Sequence, residues 1–185
     1  MNAVLRKLML SLIYPAVHGA GLLWLVSGWA STSPITDVFF DPRSYLALWL
    51  VLFFAASFIM TELLPEGKYG KAAFFCDLAE AAILFVCFVN LGYVVPNSMS
   101  LTNIRVVFLL LALVPLIEWT WNLGTERKDY NLLFLCLAVS AGALTVFVFG
   151  DRPWLVTTGI AGLYLALGVY LFKRISEAKK QGRLR

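Results

Sequence analysis

Six runs of mostly apolar residues dominate this chain, and each is long enough to cross roughly 30 Å of hydrocarbon as an α-helix of about 20 residues. The composition agrees, because 61% of the residues are apolar and 14% are charged, against about 45–50% and about 25% in soluble domains. We therefore predict an all-α polytopic membrane helix bundle in residues 1–174, followed by a basic tail in residues 175–185. The predicted spans are 8–29, 45–64, 72–94, 104–124, 131–149 and 154–173.

The positions of lysine and arginine predict that both termini are cytoplasmic. Six spans place the two termini on one side, and that side then carries twelve basic residues, whereas the other carries Arg43, Arg105 and Arg152. An excess of Lys and Arg marks the cytoplasmic face, so we expect a multi-pass protein of the plasma membrane, the inner membrane in a bacterium. Basic residues near the last span are expected to contact anionic lipid headgroups or a soluble partner. They are Lys173, Arg174, Lys179, Lys180, Arg183 and Arg185.

The residue composition and the motifs of the sequence disfavour several functional classes. The excess of Lys and Arg on the predicted cytoplasmic side accounts for the net charge of +4. We therefore expect the lipid bilayer, and no nucleic acid, as the direct partner. Cys76, Cys87 and Cys136 form no CxxC pair, and His18 is the single histidine, so no thiolate or multi-histidine metal site is predicted. The chain has no GxSxG turn and no glycine-rich phosphate loop. We predict no catalytic residue, metal or cofactor, and an enzyme is the less favoured class.

Four acidic residues lie within the apolar runs or close to their cytoplasmic ends: Glu62, Asp77, Glu80 and Glu118. A charge at mid-bilayer costs about 2.5–3.5 kcal/mol on insertion scales, so such residues indicate a functional site. At 1.5 Å per residue, Asp77 and Glu80 lie roughly 8 and 12 Å along the third span, on one face of it. We predict an acidic cavity near the cytoplasmic side, with Glu62 at its mouth.

Glu118 is the most anomalous of these acids, because it lies near the C-terminal end of its span, where the helix dipole disfavours an anion. Asn122 is one turn further along the same face and is expected to hydrogen-bond it. Glu62 lies so close to the end of its span that simple solvation is the alternative for it. For the whole group, the alternative to a functional cavity is an ionic lock, in which nearby basic side chains neutralise the acids and fix the helix register.

Two prolines fall inside predicted spans, Pro15 and Pro115, and each is followed three residues later by an ionisable side chain, His18 and Glu118 respectively. A proline inside a helix removes a backbone donor and frees a carbonyl, which a neighbour or water must satisfy. Kinks with polar groups at corresponding places in two halves of a chain are typical of transporter sites. The alternative is a pair of unrelated packing kinks.

Small residues recur at four-residue spacing on the last two spans: Ala138 and Gly142, then Thr158, Gly162 and Ala166. Such faces let helix backbones approach closely in lipid, and they predict a homo-oligomer, with packing inside one protomer as the alternative. We expect a membrane sensor, anchor or pore subunit. The alternatives are a small cation- or proton-coupled channel or transporter, a membrane component working with a soluble cytoplasmic partner, for example in a defence or secretion locus, and a membrane-embedded enzyme acting on lipid or isoprenoid.

Overall fold

The computed structural model of the chain describes residues 2–30, 41–63, 68–92, 101–125 and 130–180. The first two helices, α1 and α2, are joined by one π-helical segment, Met9–Ile13. The α-helices are α1 (Asn2–Leu8), α2 (Tyr14–Ala30), α3 (Pro42–Leu63), α4 (Lys71–Gly92), α5 (Leu101–Leu111), α6 (Val114–Gly124), α7 (Tyr130–Phe149) and α8 (Pro153–Lys180).

The predicted all-α membrane bundle is confirmed. Five stretches of helix in the described residues are long and apolar enough to span a membrane: Pro42–Leu63, Lys71–Leu91, Asn103–Gly124, Tyr130–Phe149 and Pro153–Lys179. The first predicted span, 8–29, is helical as well, but the π segment divides it and leaves 17 residues in α2. The side of the membrane on which the termini lie stays a prediction.

Pro15 lies at the first of two breaks in regular α-helix. Because proline has no N–H, the carbonyl one turn before it loses its usual donor. The chain responds with the π segment just before the proline, in which the Tyr14 N–H donates to the Met9 carbonyl, five residues back. Single π turns inside helices change the direction of the side chains that follow them. Here the side chain that follows is Tyr14, which is buried in the core.

Pro115 lies at the second break, where a two-residue turn separates α5 from α6. In an unbroken helix the Leu116 N–H would donate to the Ala112 carbonyl, but it donates to the Leu113 carbonyl instead, at 3.1 Å. The freed Ala112 carbonyl accepts a hydrogen bond from Ser140 Oγ on α7, at 2.8 Å. A neighbouring helix therefore satisfies this break, as backbone polar groups in lipid require.

Helix α4 is the centre of the bundle, because it packs against α2, α3, α5 and α6. Helix α7 packs against α5, α6 and α8, and α8 also contacts α3, which closes the bundle. Arg6 contacts the end of α3, and Arg174 contacts α6 near its end. Arg6 and Arg174 thus lie at the same end of the bundle as the acids on α4, which is the arrangement that the predicted even number of spans requires.

Candidate functional site

The site is built on the central helix, because α4 carries two acids that are almost fully buried. Asp77 is 4% exposed, and one of its oxygens accepts hydrogen bonds from Tyr69 Oη at 2.6 Å and from Thr61 Oγ1 at 3.5 Å. Tyr69 lies just before α4 begins. Burial raises the pKa of the Tyr69 phenol, and the nearby Asp77 raises it further, so the phenol keeps its proton and acts as the donor. In the part of the chain that the structure describes, neutral hydroxyl groups and not a cation therefore hold Asp77.

Glu80 lies one turn further along α4 and is 2% exposed. Ser57 on α3 hydrogen-bonds its carboxyl group, and Asp77 and Glu118 are the charged neighbours that act on it. Its Oε1 atom is buried with no hydrogen-bond partner in the part of the chain that the structure describes, and Glu80 forms no ion pair there. Ionising a buried carboxyl group that has an unsatisfied oxygen and acidic neighbours costs free energy. The unsatisfied Oε1 atom of Glu80 therefore indicates a functional or structural role for this carboxyl group.

Glu118, on α6, is the third acid of the group and is held by a different kind of network. Its Oε1 atom accepts hydrogen bonds from Tyr170 Oη at 2.6 Å and from Asn122 Nδ2 at 3.0 Å, and it lies 3.9 Å from the guanidinium of Arg174. Arg174 also donates to Asn122 Oδ1 and to Glu177 at 3.3 Å. The Asn122 bond agrees with the spacing of the two residues in the sequence. This network joins α6 to α8.

The side chain of Arg174 lies inside the bundle and not at the lipid headgroups, where the sequence predicts it. Its side chain is 4% exposed, and its guanidinium lies 5.3 Å from the centre of the Tyr170 ring. It turns inward because Glu118, Asn122 and the face of an aromatic ring together supply charge, an acceptor and a cation–π partner, which a headgroup would otherwise provide. Lys173 is half-buried and Lys179 is exposed, whereas Arg183 and Arg185 lie outside the described residues and Lys180 ends α8.

Two other predicted site residues lie outside this group. The side chain of Glu62 is exposed at the end of α3, in agreement with the alternative of simple solvation; Arg6 donates to the backbone carbonyls of Thr61 and Glu62. The centre of the His18 ring lies 4.9 Å from the centre of the Phe54 ring and 6.4 Å from that of the Phe88 ring. His18 is therefore an aromatic packing residue of α2, and its buried Nε2 atom has no partner among the described residues.

The small residues predicted to mediate close packing line an open groove between α7 and α8, with a volume of about 450 Å³. A Cβ atom added at Gly142 or Gly162 would meet nothing within 4 Å. Packing inside one protomer therefore does not use these two positions. The close approach of α7 and α8 occurs at Gly159 instead, where an added Cβ would lie 2.6 Å from Val146. Ala138, Thr158 and Ala166 also line the groove.

Four residues of the site were not predicted from the sequence: Ser57, Thr61, Tyr69 and Tyr170. Tyr69 belongs to a short connector, and Thr61 is a common residue near the end of an apolar run, so neither gave a signal. Tyr170 is different, because it lies four residues before Arg174 and hence on the same face of α8. That pairing of a phenol and a guanidinium was the available signal for the network.

The fold and the site together define a multi-pass helical membrane protein in which, among the described residues, Asp77, Glu80, Glu118 and Arg174 lie close together between the helices. Comparison of the chain with models of protein families, with curated proteins and with solved structures finds no match. In the described ranges, no three His, Cys, Asp or Glu side chains converge in a geometry that could hold a metal ion. Asp77, Glu80 and Glu118, with their hydrogen-bond and ion-pair partners, are the features of this structure that bear on function.

Proposed function

We propose that this protein is a proton-coupled transport or pore subunit of the plasma membrane, the inner membrane in a bacterium, in which Glu80 binds and releases the proton. One observation carries the proposal. Glu80 is 2% exposed, it forms no ion pair within the described chain, and one of its oxygens has no hydrogen-bond partner there. A bound proton would remove the charge and supply a donor on that carboxyl group.

The balance of buried charge supports this proposal. Asp77, Glu80 and Glu118 interact electrostatically with one another, and among the described residues the buried cation Arg174 lies beside one of them, Glu118. One guanidinium can offset one carboxylate. Since an uncompensated charge in the bundle costs several kcal/mol, proton uptake is the simplest way to neutralise the remaining acids. Among the described residues, the three acids do not converge with one another in a geometry that could hold a metal ion.

The ionic lock accounts for only one of the three acids. Glu118 has the hydrogen bonds and the nearby cation that a lock requires, so we assign to it the role of fixing α6 against α8. Glu80 has a hydrogen bond from Ser57 but no ion pair among the described residues, and its Oε1 atom has no partner there. A membrane-embedded enzyme would need Glu118 and Asp77 to open onto one cavity, but Glu118 lines a cavity at which Asp77 is absent, and Asp77 bonds with Tyr69 and Thr61 instead.

The groove between α7 and α8 supports the further proposal of a homo-oligomer. Gly142 and Gly162 line it with open space above them, and small residues at helix surfaces allow close packing in lipid. Replacing Gly142 with leucine should then reduce the oligomer fraction measured by light scattering in detergent. An unchanged mass would remove this role from the groove.

Proton flux into liposomes tests the main proposal. Purified protein is reconstituted with a pH-sensitive dye inside the vesicles, and a membrane potential drives proton entry. We expect wild-type vesicles to acidify faster than empty ones and Glu80→Gln to reduce the rate at least about ten-fold. Glu62→Gln is the matched control, because it removes an exposed acid from the same end of the bundle. Equal rates in wild-type and empty vesicles, or in Glu80→Gln and wild type, would contradict the proposal.

Infrared spectroscopy gives a second, independent measurement. A protonated carboxyl group in an apolar site has a C=O stretch distinct from that of a carboxylate. We expect a protonated-acid band in wild-type protein at neutral pH that is weakened in Glu80→Gln and unchanged in Glu62→Gln. The absence of this band from the wild type would show that Glu80 does not hold a proton, whatever the flux measurement gives.

A further inference from the structure

A small apolar cluster closes the end of the bundle next to Asp77. Its buried members are Tyr69, Ala73 and Trp121, and it is separate from the main core. Ala73 lies one turn before Asp77 on α4, and the Tyr69 hydroxyl donates to the Asp77 carboxylate at 2.6 Å. Trp121 lies in the last turn of α6, which runs towards the same end. The cluster therefore lies between Asp77 and the end of the bundle at which α4 begins.

Helix α1 lies over this cluster and is held there by few apolar contacts. Leu5 is half-buried and packs against the cluster, and α1 contacts α4. Val4 and Leu8 are exposed, so Leu5 is the only apolar side chain of α1, among those that the structure describes, that is even partly buried. Segments with few buried apolar contacts are the ones that open most easily in a folded protein. Other interactions must therefore keep α1 in place.

Arg6 supplies the polar attachment of α1. Its Nε atom donates to the Thr61 carbonyl at 3.0 Å, and its Nη2 atom donates to the Glu62 carbonyl. Both carbonyls belong to the last turn of α3, where helical carbonyls lack an intrahelical donor and the helix dipole favours a cation. Thr61 is also one of the hydroxyl donors to Asp77, and Arg6 acts electrostatically on the Tyr69 phenol. The guanidinium thus binds α1 to the residues that surround the buried acid.

The π segment Met9–Ile13 follows α1 directly, and its first residue is buried in the main core. Regular α-helical hydrogen bonding is interrupted there, as it often is at functional sites. We infer that α1 is a lid over the acids, which Arg6 and Leu5 hold closed and which turns away at the π segment. Displacement of α1 uncovers the cluster, so that water reaches Asp77 first and Glu80 one turn further on. The effect of the lid on proton flux rests on the proposed function of Glu80, whereas the lid itself does not.

Cys76 reports on the lid, because it packs against the cluster and directly precedes Asp77 on α4. Protein in lipid nanodiscs is treated with a charged, lipid-insoluble methanethiosulfonate, and the modification of each cysteine is followed by mass spectrometry. Buried Cys87, further along α4, is the internal control. We expect Arg6→Gln to raise the modification rate of Cys76 at least about ten-fold, because two hydrogen bonds from a charged group are lost. Lys7→Gln removes an exposed charge from the same helix and should react at the wild-type rate.

A second variant weakens the lid through a different contact. Leu5→Ser removes the apolar side chain that packs against the cluster and should also raise the modification rate of Cys76, whereas Val4→Ser, at an exposed position, should not. A wild-type rate in Arg6→Gln, or an equal rise at Cys87, would overturn the inference, since the latter indicates general loosening of the bundle. Faster modification of Cys76 in a protein that shows no proton flux would retain the lid and contradict the Glu80 proposal. Flux that requires Glu80, with unchanged modification of Cys76 in Arg6→Gln, would do the reverse.

Discussion

Removing the guanidinium of Arg174 should destabilise the bundle far more than removing any exposed basic charge. In Arg174→Gln, Glu118 loses the cation that lies 3.9 Å away, and Asn122 loses a donor. Breaking a buried pair by removing one partner costs about 3–5 kcal/mol. The unfolding equilibrium constant should therefore rise by a factor of at least about a hundred.

The matched control is Lys179→Gln, which removes the same charge from an exposed position on the same helix. Unfolding is followed by helical circular dichroism during titration with a denaturing detergent. The double variant Glu118→Gln/Arg174→Gln should recover at least about 1.5 kcal/mol relative to the sum of the single changes, because it leaves no unpaired charge at position 118. If Arg174→Gln is no less stable than Lys179→Gln, the ion-pair reasoning is refuted.

Three further changes test separate contacts by the same unfolding titration. Tyr69→Phe removes the donor to the first acid on α4 and should cost about 1–3 kcal/mol, whereas Tyr130→Phe, at an exposed position, should cost nothing measurable. Ser140→Ala leaves the carbonyl freed by the break between α5 and α6 without its donor, and we expect a loss of about 1–3 kcal/mol. Gly159→Ala places a methyl group against a valine and a phenylalanine ring and should cost about 1–3 kcal/mol, whereas Gly162→Ala, in open space, should be neutral.

Each of these comparisons has an outcome that contradicts its premise. Equal stability of the two tyrosine variants would mean that the phenol on the connector does not support the acid. A stable Ser140→Ala protein would mean that water or another group satisfies the freed carbonyl. Equal losses of stability in Gly159→Ala and Gly162→Ala would mean that the close approach of α7 and α8 does not occur at Gly159.

The sequence predicted the fold well because each span must satisfy its own backbone hydrogen bonds in lipid, so length and hydropathy suffice. It also predicted that Asp77 and Glu80 share a face, since helical geometry alone determines that. The first span was harder to predict. Pro15 signalled a break, but the sequence did not indicate its form, a π segment.

The partners of the acids were the least predictable part of the site. Arg174 lies where basic residues normally extend to the lipid surface, and the opposite orientation depends on Glu118 and Asn122 of a different helix. Tyr69 lies in a connector, and its contact with Asp77 depends on how that connector folds back over α4. Such contacts between distant segments leave no periodic signature in one sequence.

The position of Arg174 in α8 has a mechanical consequence for the tail. The helix continues without interruption to Lys180, six residues or about 9 Å beyond this guanidinium. A rigid helix transmits rotation along its axis, so rotating the last turns of α8 would turn the guanidinium away from its carboxylate. A molecule that binds the last residues of α8 and rotates them would therefore also disturb the contact between Arg174 and Glu118 inside the bundle.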